Sequence, residues 1–375
     1  MSEPTGRRKP RIALLFGGRS SEHSVSCVTA AGVLHAINRD KYDVVPIGIA
    51  RDGRWSLLEG DPEAWSLASG SAPEVVVGPE TIRLAADGAG RELIAQRADG
   101  SAHGLGEVDL VFPLLHGPFG EDGTLQGLLE LADVPYVGSG VAASAIGMDK
   151  HFMKVVFAAA GFRVGPYVVV TDKQWARDED AALASAGHLE YPLFVKPSRA
   201  GSSVGITRVD VPDQLRDAVV AARAHDPKVV IEQGIAGREI ECAVLEGRGC
   251  GTPRTSLPGE VAVAEGDHTF YDFEAKYVEG GAARLSCPAD LPDEAIAEVR
   301  RLAAEAFDAV GAEGLSRVDF FYTPAGEWVV NEINTMPGFT PISMYPQMWS
   351  ATGLDYPDLI DELIWLALDR RIGLR

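Results

Sequence analysis

Four polar residues in one stretch, SRVDFFYTPAGEWVVNEINTMPG, are spaced so that they could act together. Two runs rich in β-branched and aromatic residues flank a turn at Ala325–Gly326, which is the pattern of a hairpin. A turn centred there sets Asp319 opposite Glu332 and Arg317 opposite Asn334. Side chains alternate faces along a strand, so these four share one face, and Val318 and Ile333 share the other. Burying two carboxylates, an amide and a guanidinium without partners is costly, so their grouping needs a cause. Oxygen donors from Asp, Glu and Asn suit hard Mg²⁺, which also keeps waters and binds substrate phosphates. A solvated sheet face with a salt bridge fits the same spacing, and a slip of one residue in register would separate the four.

Four further stretches carry candidate chemistry. In PLFVKPSRAGSSVGITRV an apolar strand delivers Lys196 at its end, and small residues then run to a second strand. Backbone N–H groups and hydroxyls at such a tip can wrap phosphate oxygens, with Lys196 as a point charge. No helix follows the glycines, so neither the Walker nor the dinucleotide pattern is met, and an ordinary surface loop remains the alternative. RSSEHSVS lies at a strand-to-helix turn, where ligands of parallel sheets bind, and Glu22 there could hold an ammonium. Neither Ser20 nor Ser21 has an acidic or amide residue three places on, so a capping box fails and the helix dipole is the other role for Glu22. His116 opens the strand-end loop HGPFGEDG and could touch substrate or face solvent. HTFYDFEAKYVEGG, with Lys276 and Tyr277 adjacent, reads as a long loop of the kind that forms lids.

The elements that must position these residues alternate. An apolar strand over 12–16, a Gly-rich turn, a helix over about 25–38 and a strand over 44–49 predict a parallel α/β unit. Residues 51–106 match no pattern. A strand over 108–116 and a helix over 141–160 follow, with a boundary near Gly138. Strands over 167–170, 193–196, 204–209 and 228–235, with a helix over 213–224, predict a smaller α+β unit. Strands over 239–245 and 260–264, a helix over 293–310, the hairpin and an amphipathic helix over 356–370 predict a third region.

Composition narrows the class. The 375 residues suggest two or three domains, and 46% hydrophobic with 23% charged residues is globular. Lys and Arg total 34 against 54 Asp and Glu, a net charge of −20, which argues against nucleic acid or an anionic membrane as partner. Only eight residues are lysine, at positions 9, 41, 150, 154, 173, 196, 228 and 276. The four cysteines form no CxxC pair, so no zinc or redox motif is signalled. The apolar run near the N-terminus is too short for a signal segment, and no stretch reaches about 20 apolar residues, so a cytoplasmic location is expected.

Together, GGRSSEHSVS, LLHGPFGEDGTLQG, MDK (148–150), FVKPSRAGSSVGI, IEQGIAGREIE, YDFEAKY, RVDFF and NEINTMPGFTPIS resemble, in order, the motifs of the D-alanine–D-alanine ligases of the ATP-grasp superfamily. The resemblance implies an α/β and α+β fold of three subdomains, opening with a Rossmann-like parallel unit. Residues 1–138 would bind substrate, 139–235 would be the central ATP-grasp subdomain, and 236–375 the C-terminal one with lid and metal site. Lys150 and Lys196 would hold ATP phosphates. Glu232, Gln233 to Ile235, Glu239 and Phe321 would meet the rest of the nucleotide. Asp319, Glu332 and Asn334 would bind Mg²⁺, with Mn²⁺ as the other metal. Glu22 and His116 would contact the first D-alanine, and Ser202 and Tyr277 would bond to Glu22 as the lid closes. Lys276 and Ser343 would hold the second substrate's carboxylate, and Arg317 with the Gly338 N–H would steady the oxyanion. Met344 stands where many relatives carry Leu, beside the acceptor pocket.

The implied reaction is ATP-dependent joining of two D-alanines through an acyl phosphate, for peptidoglycan synthesis, in a homodimer. D-lactate or D-serine as acceptor is the alternative, and the Lys276–Tyr277 pair favours an amine. A nucleotide-binding protein without catalysis is disfavoured by the intact Arg317, Asp319, Glu332 and Asn334, and a nicotinamide dehydrogenase by the missing GxGxxG.

Overall fold

The computed structural model describes residues 8–58, 65, 73–85, 91–249, 251–263 and 283–370. These residues fall into two units. The first takes the chain to Gly120, then Thr124–Gly138 and the segment from Leu354 onward, and the second takes Glu121–Gly123 and Ser139–Gly353.

The first unit begins with β1 (Arg11–Gly17), α1 (His23–Ala36), β2 (Asp43–Ile49) and β3 (Trp55–Leu57). Three short strands, β4 (Glu80–Leu84), β5 (Glu92–Arg97) and β6 (Ala102–Glu107), precede β7 (Leu110–Pro113) and α2 (Thr124–Leu131). The main sheet has the order β3-β2-β1-β7, with β1 parallel to both β2 and β7. Ile12 to Phe16 are wholly buried, as a continuous apolar run in a parallel strand requires. The stretch 51–106, silent in the sequence, contains a separate antiparallel sheet in the order β4-β5-β6.

The second unit opens with α3 (Val141–Met148) and α4 (Lys150–Ala159). A single helix over 141–160 was the expectation. The chain instead breaks at Asp149, which is extended and whose carboxylate accepts the N–H groups of His151 and Phe152. The new N-cap is the physical reason for the break, since an Asp satisfies donors that a helix start leaves open. Next come β8 (Tyr167–Val170), α5 (Asp172–Arg177), α6 (Glu179–Ala184), β9 (Leu193–Pro197), β10 (Thr207–Val209), α7 (Leu215–Arg223) and β11 (Val229–Gln233). They form a sheet in the order β10-β9-β11-β8 over its own hydrophobic core.

A second sheet of this unit is built from β12 (Arg238–Leu245), β13 (Arg254–Thr255), β14 (Gly259–Val263), β15 (Ala283–Ser286), β16 (Leu315–Tyr322) and β17 (Trp328–Asn334). Its order is β15-β14-β12-β16-β17, with β13 also on β12. The helix α8 (Asp293–Val310) covers it with Ala295, Val299, Ala303, Phe307 and Val310, a buried stripe at helical spacing. Gly311, at φ 66°, ends that helix in the left-handed cap conformation that glycine adopts without strain. A further helix, α9 (Met344–Thr352), was not anticipated. The last helix, α10 (Tyr356–Asp369), belongs to the first unit.

Asp149 does more than cap. Its Oδ1 accepts from Ser198 Oγ at 2.9 Å and its Oδ2 from Lys228 Nζ at 2.5 Å. Asp149→Ala should therefore cost about 3 kcal/mol: about 1 for the cap, the rest for the uncompensated Lys228. Asp149→Asn, which still caps, should cost less. Urea unfolding midpoints measure both, and equal losses would contradict the ion-pair contribution.

Candidate active site

In the first unit, Glu22 and His116 are tied together through one hydroxyl. Ser20 Oγ donates to the His116 carbonyl at 2.7 Å and accepts the Glu22 N–H at 3.2 Å. Both side chains are buried. Glu22 occupies the N-cap of α1, but its carboxylate does not cap the helix. Gly117 sits at φ 75°, and a Cβ there would lie 2.6 Å from Glu22 Oε2. Glycine takes that positive φ without strain, and a side chain there would push the carboxylate aside. Thr29 Oγ1 lies 3.3 Å from His116 Nε2.

His23, beside Glu22, is wholly buried. Its Nδ1 lies 2.6 Å from the Gly18 carbonyl, and its Nε2 lies 3.0 Å from the Val75 N–H. A carbonyl only accepts and an N–H only donates, so these partners define the neutral Nδ1–H tautomer. Burial pushes its pKa below the ordinary 6.5, against the Gly18 carbonyl, which favours the charged form.

In the second unit, the break before α4 places Lys150 and Lys154 one turn apart on one helix face. Glu232 on β11 receives the ammonium of Lys196 from β9 at 2.8 Å, with Lys154 at 3.3 Å from its other oxygen. Burial alone would raise the Glu232 carboxyl, yet the charges of Lys154 and Lys196 hold it at about 2. Burial drives the Lys154 ammonium below the usual lysine range, opposed by Glu232. Burial would lower Lys196 too, but its closer bond to Glu232 raises it. Lys150 Nζ donates to the Ala200 carbonyl at 2.8 Å and lies 3.8 Å from Glu332 Oε2. Lys154, Asp149 and Lys228 escaped the sequence reading. Two lysines four residues apart in a lysine-poor chain were the available signal for Lys154.

The hairpin pairs Arg317 with Asn334 and Asp319 with Glu332. That register holds because two departures cancel. Beyond Asp319 the pairing is shifted by one, with Phe320 opposite Val330 and Tyr322 opposite Trp328, so the turn centres on Ala325 with three residues, 324–326, in its loop instead of two. An extra residue on β17, Asn331, then restores the register at Glu332. Across β12, Glu241 faces Asp319 and Glu239 faces Phe321. Glu241, Asp319 and Glu332 thus form a row of carboxylates on three adjacent strands. Arg317 neutralises the row: its Nε and Nη2 each lie 2.7 Å from an Asp319 oxygen, and Glu241 Oε2 is 3.3 Å from Nε. Asn334 Nδ2 donates to Asp319 at 3.0 Å. Burial would lower the Arg317 guanidinium, but Asp319 and Glu241 drive it well above its ordinary value.

Hard oxygen donors from Asp319, Glu332 and Asn334 fit a divalent cation. Among the described residues no three His, Cys, Asp or Glu side chains converge to hold one unaided. Mg²⁺ is commonly held in that way, with one or two carboxylates and the rest of its shell from waters and phosphate oxygens.

The other candidates lie as follows. Ser202 and Ser203 take left-handed φ of 45° and 58° in the loop after β9, a strained pair of the kind found at ligand clamps. Gln233 Oε1 accepts the Glu190 N–H, and Ile235 packs at Gly165. Gly338 is half-buried beyond β17. Ser343 Oγ bonds the Thr340 hydroxyl at 2.7 Å and sits at the N-cap of α9. Met344 is buried, with its sulfur where a Cβ on Gly259 would stand. Lys276, Tyr277 and their loop lie outside the described residues.

The neutral His23 yields a sign-defined pH dependence. Its folded pKa is depressed, so its contribution to stability is present above the unfolded value near 6.5 and is lost as pH falls through the folded one. Thermal unfolding at pH 5 and pH 8 should show the loss at pH 5. His23→Gln should flatten the difference, and an unchanged pH profile in that variant would contradict the assignment.

The family model described as "D-ala D-ala ligase N-terminus" matches residues 11–139, and "D-ala D-ala ligase C-terminus" matches 156–365. A D-alanine–D-alanine ligase of Arthrobacter sp. (strain FB24) is 68% identical over 99% of this chain and 97% of its own. One from Streptomyces avermitilis is 55% identical over 98% and 96%. The crystal structure of the VanG D-Ala:D-Ser ligase from Enterococcus faecalis is 37% identical with a TM-score of 0.81, covering 96% of this chain and 100% of that one. That of the D-alanine–D-alanine ligase from Coxiella burnetii is 36% identical with a TM-score of 0.78, covering 97% and 95%. With sheets, sequence motifs and relatives in agreement from end to end, the chain belongs to the D-alanine–D-alanine ligase family and has the ATP-grasp fold.

Proposed function

We propose that this chain joins two D-alanines into D-alanyl-D-alanine with cleavage of ATP to ADP and phosphate, supplying a peptidoglycan precursor. The observation that carries the reading is the reach of Lys150, whose ammonium lies 2.8 Å from the Ala200 carbonyl of the small-residue loop and 3.8 Å from Glu332. Phosphate-binding loop, lysine cluster and carboxylate row thereby become one polar surface within the second unit.

The chemistry assigns each group a task. A carboxylate cannot acylate an amine at neutral pH, because its oxygen is a poor leaving group. Attack of the first D-alanine's carboxylate on the γ-phosphorus of ATP converts it to an acyl phosphate. Both reactants are anions, and Lys150 and Lys196 offset their repulsion. A divalent metal, Mg²⁺ in this proposal, supplies charge neutralisation at the phosphates when bound to Asp319, Glu332 and Asn334. Glu22 pairs with the first substrate's ammonium, and His116 orients that substrate. The second D-alanine attacks through its amine. Arg317 and the Gly338 N–H stabilise the resulting oxyanion, whose collapse releases phosphate and the dipeptide. Ser202, Tyr277, Lys276 and Ser343 act in closing the site and holding the second carboxylate, with Met344 beside them. Glu239, Phe321 and residues 233–235 complete the nucleotide site. We further propose the three-part division 1–138, 139–235 and 236–375, with the last helix, α10, grouped in space with the first part, a homodimer, and action in the cytoplasm. The second unit has two hydrophobic cores, one wholly within 139–235 and one under the β12–β17 sheet, which Met153 and Phe157 of α4 also join. No helix among the described residues is long and apolar enough to cross a membrane.

D-serine or D-lactate as acceptor is the second reading, of which D-serine has the support of the likeness to a D-Ala:D-Ser ligase at 37% identity. The higher identity to D-alanine–D-alanine ligases, 68%, favours D-alanine. Phosphate release with ATP, Mg²⁺ and D-alanine should exceed the D-alanine-free blank, and product mass with mixed acceptors should show the alanine dipeptide. No release above the blank would sink the proposal. Asp319→Asn should lower turnover about 100-fold while shifting the melting temperature by less than about 5 °C. A parallel loss of stability and activity would make Asp319 a structural partner of Arg317 instead.

A further inference from the structure

Glu232 is shared by two lysines that treat its oxygens differently. Lys196 Nζ hydrogen-bonds Oε2 at 2.8 Å. Lys154 Nζ stands 3.3 Å from Oε1 without a hydrogen bond, and Oε1 is fully buried with no other donor. Glu232 is 8% exposed and Lys154 2% exposed, so water does not screen the pair. A buried carboxylate oxygen that receives charge but no hydrogen bond is an acceptor awaiting a donor. Its surroundings are fixed. Glu232 faces Tyr167 across β8 and Phe194 across β9, and the Tyr167 ring lies 5.9 Å from Lys154 Nζ.

We propose that Lys154 is a positioning residue that sets the enzyme's preference among purine nucleotides, by keeping Glu232 anionic and leaving Oε1 open to an N–H of the base. This rests on the reading that Glu232 meets the nucleotide base. An adenine presents an exocyclic amine to such an oxygen. A 6-oxo purine presents a carbonyl, and two acceptors facing each other in a dry site are strongly unfavourable. Lys154 acts through Glu232 and needs no contact with ATP itself. Removing its charge leaves Lys196 as the one cation of the pair on Glu232, so the anionic carboxylate is held less firmly and a protonated one, which can donate to a 6-oxo group, costs less.

The test compares ATP with ITP in the D-alanine-dependent phosphate assay on the full chain. Lys154→Met should lower the ATP:ITP ratio of kcat/KM about tenfold or more, chiefly through the KM values rather than kcat. Lys154→Arg should restore the ratio, which a merely structural filling of the site would not do selectively. Lys154→Gln, which keeps a polar head without the charge, carries the same expectation should the methionine variant fail to fold. An unchanged ratio in a folded Lys154→Met or Lys154→Gln protein overturns the proposal. Glu232→Gln separates the two levels. If it changes the ratio and the Lys154 variants do not, this inference alone falls, whereas an unchanged ratio in Glu232→Gln removes the base contact of Glu232 as well.

Discussion

A buried ammonium must sit beside a carboxylate or give up its proton, and the second unit is organised around that constraint. Three lysines gather within or near its β8–β11 sheet, and each has an acidic neighbour: Glu232 for Lys154 and Lys196, Asp149 for Lys228. Lys150 adds a fourth, directed at Glu332. The secondary structure serves these pairings. The helix breaks at Asp149, so one carboxylate caps α4 and holds Lys228, while the new helix presents Lys150 and Lys154 on one face. The same logic runs in reverse on the neighbouring sheet, where Arg317 makes a row of three carboxylates tolerable.

This arrangement reconciles an acidic chain with an anionic ligand. A net charge of −20 is a property of the whole chain, whereas binding depends on where individual charges stand. Inside the site, low dielectric makes each cation count for more than it would in water. Lys154 and Lys196 together outweigh the charge of the one carboxylate they share, Glu232.

Much of this was legible in the sequence, and the failures have physical causes. Apolar runs and helical stripes located β1, β2, β8, β9, β11 and α8, because burial on one face imposes a period that composition records. The hairpin pairing of Asp319 with Glu332 was readable only because the displaced turn and the bulge at Asn331 offset each other. Period-2 reasoning cannot see either. The break at Asp149 was missed because helical periodicity continues through it, and the capping bonds that end one helix and start another leave no mark on an apolar pattern. Glu241 was missed because its significance is a register across strands far apart in sequence. Residues 51–106 were opaque because their strands are short and only partly buried.

The last helix bears on how the molecule is made. Lys41 pairs with Asp361, and Arg370 donates to the carbonyls of Tyr136 and Gly138, so α10 completes the first unit. Yet residues 139–353, nearly all of the second unit, separate it from the rest of that unit in the chain. On a ribosome the interrupted unit must wait, its parallel sheet uncovered on that side, until the entire intervening unit has emerged. Synthesis order therefore favours folding the second unit first and completing the first unit last, so a truncated chain would lack a finished first unit even where its β1–β7 sequence is intact.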